Sequence, residues 1–577
     1  MKIVMCTLNA KFIHTNLAMR YIKAYSQPEF DILLKEYTLK DMTMNIVTDL
    51  YFHKPDVLLF SIYIWNVTST FEIISLMKKL LPNVKIAVGG PEVSFDVRER
   101  LLENPGIDVI SIGEGELTTK RLLTAWFKNT DLTDVPGIAF RKDGDIIVNG
   151  KSGHLDLSKI PTPYRFPEDI PHLPKRITYI ETSRGCPFNC QFCLSSTEQG
   201  IRYFDVEWIK SELRFLMAQG ARIIKFLDRT FNTNKEYALE IFQFLIDEHK
   251  PGCVFQFEIT ADIMPPEIIH FLNEHAPEGL FRFEIGVQST NDLTNEIIHR
   301  RQDFEKLSHI VTLIKNGGKI EQHLDLIAGL PEENYLSFRK TFNDVFALRP
   351  EELQLGFLKM LRGTGLRIRA SEHDYVFMDK PPYEVLGNNV LSFEDGIRLK
   401  QTEDVLEKYW NDHRMDRTIE YLIAHFFETP FDFFQDFGTF WEENNWSRIG
   451  HQLPDLFTRL YSFLENAAFQ NLDVVLGLMK IDYLSQQKIK PKIWWEKNKT
   501  PFLIEEIIQS PLLFGQAFAS LGLTLQDLHK HTIIEYIPFD YHSLINTGEI
   551  ARQQGVLLTY FHPVTKNANL FYSPSHH

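Results

Sequence analysis

The sequence predicts an α/β protein in three parts. Short apolar strands alternate with amphipathic helical stretches over residues 1–145. The alternation resumes at Ile177 and runs to about residue 385. Residues 386–577 abandon it for aromatic-rich helical spacing. Apolar strands alternating with helices imply a parallel sheet covered on both faces. At 577 residues the chain also exceeds what one hydrophobic core sustains.

The first part reads in order as strand Lys2–Leu8, helix Asn16–Tyr25, edge strand Asp31–Leu39 and buried strand Val57–Tyr63. Helix Thr68–Leu81 follows, stopped by Pro82, then strand Lys85–Gly90, helix Phe95–Glu103, strand Val109–Gly113 and helix Leu117–Phe127. Open parallel sheets bind ligands beyond the carboxyl ends of their strands. Two glycine turns lie there, Gly89-Gly90-Pro91-Glu92 and Gly113-Glu114-Gly115-Glu116. Glycine lets backbone approach a flat or anionic ligand, yet the same turns serve as plain strand-to-helix connections. Neither has the spacing of a dinucleotide fingerprint. Gly137–Val148 reads as a hairpin around Asp143-Gly144. Residues 146–176, with prolines at 161, 163, 167, 171 and 174, form a connector.

The second part, 177–385, gives six strands: Ile177–Thr182, Arg222–Leu227, Val254–Thr260, Leu280–Val287, Glu321–Ala328 and Glu352–Lys359, with helices at Val206–Gln219 and Tyr237–Glu248. After the first strand comes Ser183-Arg184-Gly185-Cys186-Pro187-Phe188-Asn189-Cys190-Gln191-Phe192-Cys193. Thiolates are soft ligands suited to iron–sulfur clusters and zinc. So short a loop can place three sulfurs on three irons of a cubane, with the fourth iron then open to a small molecule. Zinc would ask for a fourth ligand, and the next cysteine is Cys253. The alternative is three thiols used as small hydrophobes; the flanking Gly185, Pro187 and Phe192 argue against it. Five cysteines, three of them in one loop, make no disulfide framework. Outside the loop only Cys6 and Cys253 remain; Cys253 reads as a buried structural thiol, with a reactive thiol such as a methyl acceptor as the alternative.

The string SRGCPFNCQFC resembles the loop of the radical S-adenosylmethionine (SAM) superfamily. The resemblance implies a [4Fe-4S] cluster on Cys186, Cys190 and Cys193, with SAM chelating the open iron, in a partial (β/α)6 barrel. It implies SAM contacts at strand ends: Asp228 and Arg229 (which depart from the usual Gly-Gly-Glu form), Glu284, Gln288, Ser289 and Asp325, with Gly329–Leu330 beside the adenine. With only two cysteines to spare, the chain does not resemble the two-cluster members. The first part looks like the Rossmann-like cobalamin-binding domain that precedes many such barrels. By that resemblance Ser61, Tyr63, Trp65 and Asn66 line the corrin, together with Gly89, Gly90, Pro91, Glu92, Gly113, Glu114, Gly115 and Glu116; Asn9 and His14–Asn16 sit at its rim. The Asp-x-His-x-x-Gly string that ligates cobalt elsewhere is missing from this domain. Asp527-Leu528-His529 and Asp540-Tyr541-His542 are distant and lack the glycine, so no histidine of this sheet is expected to ligate cobalt.

The last part packs seven Phe and one Trp into the sixteen residues Phe426–Trp441, a run expected to be core. Glu403–His425, Leu456–Leu464 and Leu472–Leu484 have helical spacing, and Thr532–Ile537 and Val556–Pro563 are candidate strands. It resembles the uncharacterised C-terminal domain of one subgroup of cobalamin-dependent radical SAM proteins.

The resemblance as a whole implies reductive cleavage of SAM and cobalamin-dependent methyl transfer to an unactivated carbon of a small molecule. Cyclisation or rearrangement, or a cobalamin or iron–sulfur sensor, are the rival readings. It also implies an electron donor such as flavodoxin or ferredoxin. A net charge of −15 argues against a general nucleic-acid surface. No apolar run is long enough to span a membrane, and the start, MKIVMCTLNAKF, lacks a signal-peptide core; a cytoplasmic protein is expected.

Overall fold

A computed structural model describes residues 1–197, 200–491, 493–495 and 530–574. The chain folds into two compact units, Met1–Gly396 and Ile397–His577.

The first unit opens with a seven-stranded sheet in the order β2-β1-β3-β4-β5-β6-β7. Its strands are β1 (Ile3–Asn9), β2 (Ile32–Thr38), β3 (Val57–Ser61), β4 (Lys85–Gly89), β5 (Val109–Ser111), β6 (Ile138–Lys142) and β7 (Asp145–Val148). β1 to β5 pair in parallel, and the β6–β7 hairpin adds antiparallel to β5. Helices α1 (Leu17–Ser26), α2 (Thr43–His53), α3 (Val67–Leu80), α4 (Val97–Glu103) and α5 (Gly115–Lys128) cover both faces. One face buries Val4, Leu58, Phe60 and Ile86 against Ile46, Ile73 and Met77. The other buries Met5, Leu59 and Ala87 against Met19 and Leu122. Continuous burial along β1 and β3 is what two-sided cover demands of a parallel strand. Cys6 lies in this core, fully buried.

The proline-rich connector is bolted at both ends. Asp169 and Glu168 hold Arg20 and Lys23 of α1, each at 2.6 Å, and Arg165 reaches Glu212 at 2.9 Å. Beyond it, β8 (Ile177–Ile180) starts a second sheet. Its other strands are β11 (Ile223–Phe226), β12 (Val254–Ile259), β13 (Phe281–Gln288), β14 (Glu321–Ala328) and β15 (Glu352–Phe357), all parallel. The order runs β15-β14-β13-β12-β11-β8, an open six-stranded barrel. Between β8 and β11 lie a small ribbon, β9 (Ser183–Cys186) with β10 (Gly200–Tyr203), and α6 (Val206–Ala218). Helices α7 (Lys235–Glu248), α8 (Pro266–His275), α9 (Asp292–Ile297), α10 (Phe304–Gly317) and α11 (Tyr335–Phe346) complete the repeats. A phenylalanine cluster of Phe226, Phe231, Phe242, Phe257, Phe281 and Phe283 seals the outer face of the sheet. Short α12 (Gly365–Ile368) and the hairpin of β16 (Val376–Phe377) with β17 (Val385–Gly387) follow.

The second unit holds α14 (Asp416–Phe426), α15 (Pro430–Glu443), α16 (Leu453–Asn466) and α17 (Leu472–Leu484), after α13 (Phe393–Leu406) across the division. An antiparallel sheet of β18 (Thr532–Ile537), β19 (Gly555–Phe561) and β20 (Ala568–Pro574) ends the description. The aromatic run is core, with Phe433, Phe434 and Phe437 fully buried on α15. The continuous helix expected at Glu403–His425 is broken between Asn411 and Asp416. Asp482 of α17 supplies the reason: it caps the restarted helix, accepting from the Thr418 amide at 2.9 Å and its hydroxyl at 2.7 Å. Among the described residues no helix is long and apolar enough to cross a membrane.

Candidate functional site

The cysteine loop sits at the carboxyl end of β8. The ribbon beneath it pairs Cys186 with Gly200 and Arg184 with Arg202. Gly185 takes φ +98°, and a Cβ there would overlap the Gly200 carbonyl oxygen. Past Cys186 the chain turns back through Cys193 N–H to Cys190 C=O, 3.1 Å. Distant parts of the barrel pin the turn: Gln191 donates to the Ile298 carbonyl (2.9 Å) and accepts from the Leu366 amide (2.8 Å). Phe192 packs against the cluster of Ile298, Leu366 and their neighbours, and Ile64, in the turn after β3, joins the same cluster. That contact is the physical reason for an aromatic between the second and third cysteines.

Cys186 and Cys190 are each 9% exposed; Cys193 is half-buried. Burial pushes both thiols up, and the neighbouring cysteines add to it. Four groups oppose that rise, the first being the Phe188 backbone amide, which bonds the Cys186 sulfur. The Thr230 hydroxyl and the Arg229 charge favour the Cys186 thiolate, and Arg300 bonds the Cys190 sulfur. The Ser195 amide donates to the Cys193 sulfur at 3.4 Å. No three Cys, His, Asp or Glu side chains among the described residues converge tightly enough for one metal ion. A cubane asks for something else, since its corners are separate irons and each takes its own thiolate. Three mutually interacting thiols, with amide, hydroxyl and guanidinium donors around them, fit that demand. Neither Thr230 nor Arg300 was singled out by the sequence; a chemical partner for a sulfur so far along the chain leaves no local signal.

Asp228 is buried and committed to the loop: its carboxylate accepts from the Thr182 amide (3.1 Å), the Thr182 hydroxyl (2.6 Å) and the Ser183 hydroxyl (2.5 Å). It thereby locks the end of β11 to the start of the cysteine ribbon, while Arg229 beside it is exposed. The Gly-Glu-Gly-Glu turn is committed as well. Glu116 holds Arg184 at 2.6 Å, and Glu114 pairs with Arg202. Both arginines belong to the ribbon, so the carboxylates expected at a cofactor rim clasp the cysteine loop. Glu92 of the other turn is buried against Arg100 (2.6 Å) and Tyr383.

On the inner face of the barrel the polar residues gather. Alternation on β13 buries Phe281, Phe283, Ile285 and Val287 outward and turns Arg282, Glu284, Gly286 and Gln288 inward. Glu284 pairs with Lys225 at 2.6 Å, and Asp325 lies 3.2 Å from His323. Gln288 has φ +70° at a bulge against β14, and its Oε1 is buried without a partner. Ser289 is fully buried and donates to Glu333 at 2.7 Å, which makes it a support for the next loop. Glu258, opposite Glu284 in the register, carries no hydrogen bond among the described residues. The sequence marks Glu258 as the charged residue of an otherwise alternating strand but gives it no role. Burial pushes its carboxyl up to about 7, with Arg229 and Lys225 pulling the other way.

Burial also pushes Glu333 up to about 7, against its bonds from Ser289 and Thr341. In the unfolded chain such groups ionise near pH 4.3. Between that pH and about 7 the folded state therefore binds more protons, so stability falls as pH rises across this window. A Glu333→Gln variant, which keeps the acceptor oxygen, is expected to match wild type in urea midpoint at pH 5. It should exceed wild type at pH 8 by on the order of 2 kcal/mol. A gap that opens toward acid instead would show that Glu333 is ionised in the fold.

At the first sheet, the residues expected to line the corrin lie together with Asn16 of its expected rim. Asn16 donates to the Ser61 hydroxyl at 3.3 Å and to Tyr63 Oη at 3.5 Å. Asn66 is fully buried, bonding Leu8 C=O and Ser61 C=O. Trp65, 48% exposed, stacks on Tyr63 with centroids 4.5 Å apart and planes 3° from parallel. Gly90, at φ +114°, lies so close to Ile62 that a Cβ would overlap its carbonyl oxygen; Gly113, at φ +79°, faces open space within 4 Å. Asn9 and His14 take other partners: Asn9 bonds the His14 carbonyl at 3.0 Å, and His14 Nδ1 lies 2.7 Å from Tyr179 Oη on β8. Of the two distant Asp-x-His strings, Asp540 caps the helix Tyr541–Thr547, and Asp527–His529 lies outside the described residues.

Three family descriptions match this chain. Residues 3–123 match "B12 binding domain", 180–345 match "Radical SAM superfamily" and 371–559 match "Protein of unknown function (DUF4080)". The chain therefore carries, in order, a B12-binding domain, a radical SAM domain and a domain of unknown function. Among curated relatives it is 30% identical over 235 residues to an uncharacterized methyltransferase of Pyrococcus horikoshii, covering 39% of this chain and 51% of that one. It is 28% identical over 304 residues to the cobalamin-dependent radical SAM methyltransferase TokK of Streptomyces tokunonensis, covering 50% and 44%. It is 27% identical over 288 residues to an anaerobic magnesium-protoporphyrin IX monomethyl ester cyclase of Synechocystis, covering 48% and 53%. The chain thus spans about half the length of these relatives. In fold it is similar to the cobalamin-dependent radical enzyme OxsB with aqua-cobalamin and S-adenosylmethionine bound, at TM-score 0.58 and 17% identity over 83% of this chain and 79% of that one.

Proposed function

We propose that this protein is a cobalamin-dependent radical SAM methyltransferase acting on an unactivated carbon of a small molecule. One observation carries the reading. The carboxyl-end loops of two parallel sheets meet at the three-cysteine turn, where Ile64 and Phe192 pack on one buried cluster and Glu114 and Glu116 hold the ribbon arginines. When bound, a [4Fe-4S] cluster supplies the electron that cleaves SAM, and a corrinoid supplies a transferable methyl group.

Cys186, Cys190 and Cys193 would hold the cluster, with Arg300, Thr230 and the Ser195 amide favouring thiolate. Gln288, Glu284, Asp325, Arg229 and Glu258 face or border the lumen where SAM would lie. The orphaned Gln288 Oε1 and the unpartnered Glu258 carboxyl are acceptors awaiting N–H or O–H donors, which an aminoacid head and a ribose provide. Asp228 and Ser289 act one layer back, as positioning residues. At the first sheet the Tyr63–Trp65 stack offers a flat apolar face to a corrin. Gly89, Gly90 and Gly113 carry no side chain in the turns there, and Pro91 follows the first two. Glu92, Glu114 and Glu116 brace the domain against the barrel.

The supporting relatives are methyltransferases by name, and the cyclases among them favour cyclisation as the second reading. Electrons would come from a small reducing protein such as flavodoxin or ferredoxin, and an oxygen-sensitive cluster suits the cytoplasm. Anaerobic reconstitution with iron, sulfide and cobalamin, followed by mass analysis of product, tests the proposal. The expected result is 5′-deoxyadenosine together with S-adenosylhomocysteine and a product heavier by one methylene. Deoxyadenosine with no mass gain would favour cyclisation; no deoxyadenosine from the reduced protein would leave a sensor.

A further inference from the structure

We propose that the second unit carries its own ligand site, built on Arg459, for the anionic group of a small molecule, a carboxylate or a phosphate. Arg459 lies on α16 and is only 8% exposed. Its guanidinium carbon sits 5.1 Å from the Trp441 ring and 5.3 Å from the Trp446 ring. Indole faces attract a cation but do not neutralise it. Among the described residues Arg459 has neither an ion pair nor a hydrogen bond, and its Nη1 is buried with no partner. Guanidinium does not shed its proton in proteins, so a full positive charge is held in the interior without a counter-charge.

Two further orphans surround the same indole. Nε1 of Trp441 and Nδ1 of His451 are buried without partners, and the His451 ring lies 4.8 Å from Trp441. An indole N–H can only donate, and the imidazole nitrogen can donate in one tautomer. Among acidic side chains of α13, α15 and α16, Glu442 pairs with Arg448 at 3.3 Å, Asp455 accepts from the Gln452 amide at 2.8 Å, and Asp404 pairs with Lys408 through Oδ1, its Oδ2 being buried with no partner among the described residues. A buried unpaired charge and unpaired donors both cost stability unless something completes them. The missing group is an oxyanion, which accepts from a guanidinium fork and from N–H donors together. An arginine wedged there for packing alone would leave all three polar atoms unsatisfied.

The test is calorimetric titration of the full-length protein with sodium phosphate and, separately, sodium succinate, against sodium chloride at equal ionic strength. Saturable binding of either anion is expected, with the stronger one naming the class. At ten times the dissociation constant the melting temperature should rise by roughly 3 °C. Arg459→Gln should weaken binding at least tenfold. If that variant does not fold, Arg459→Lys keeps the charge but loses the planar fork, and several-fold weaker binding is expected. Absence of saturable binding in the wild type overturns the proposal. So does equal binding by wild type and either variant, since the response would then arise elsewhere. Activity of the cysteine site enters neither readout.

Discussion

A Cys190→Ala variant, reconstituted without oxygen, is expected to lack the visible absorption of an iron–sulfur cluster and to release no 5′-deoxyadenosine from SAM. The loss should reach at least about a thousandfold, because a ligand is removed outright, whereas outer-shell changes alone cost about ten- to a hundredfold. The fold should survive. Sγ is one buried atom, and its removal leaves a small void worth on the order of 1 kcal/mol. Cys253→Ala is the matched control. That thiol is also buried, but it bonds the Ala221 carbonyl at 3.3 Å on the far side of the strand from the site. It should lose similar stability and no activity. A Cys190→Ala protein that still cleaves SAM would sink the cluster assignment.

Gly185→Ala should be nearly as damaging by a different route. Its φ of +98° lies where side chains are strained, and its Cβ would overlap the Gly200 carbonyl across the ribbon. Strained backbone of this kind costs about 1–3 kcal/mol. The overlap is with backbone, so it is relieved only by parting β9 from β10. Parting them moves Cys186, paired with Gly200, and pulls Arg184 from Glu116. The expected variant folds in both sheets by far-ultraviolet circular dichroism but takes up less than half the iron of wild type. Gly113→Ala is the comparison: φ is also positive, but nothing stands within 4 Å, so iron uptake should be unchanged. Full iron loading of Gly185→Ala would show that the ribbon does not position the first thiol.

Much of the architecture was legible because it is written in local period. Val57–Ser61 and Phe281–Gln288 declare themselves by continuous or alternating apolar residues, and the cysteine spacing declares its own chemistry. What stayed hidden depends on partners far along the chain. Helix Thr43–His53, rich in β-branched and polar residues, has a weak stripe and is held by the sheet face it covers. The β9–β10 ribbon is too short to show any period. The break before Asp416 comes from a cap supplied by Asp482. For the site, residue type at a strand end predicted polarity correctly but not direction. Glu114, Glu116, Asp228 and Ser289 looked like cofactor contacts, yet each spends its side chain on another part of the protein.

The turn bearing the thiols is fastened at Gln191 by Ile298 on one side and by Leu366 on the other. The ribosome makes all three cysteines well before either anchor exists. A growing chain therefore presents three unorganised sulfhydryls, open to oxidation and to stray metals. Both fastenings of the turn can form only after translation has passed Leu366.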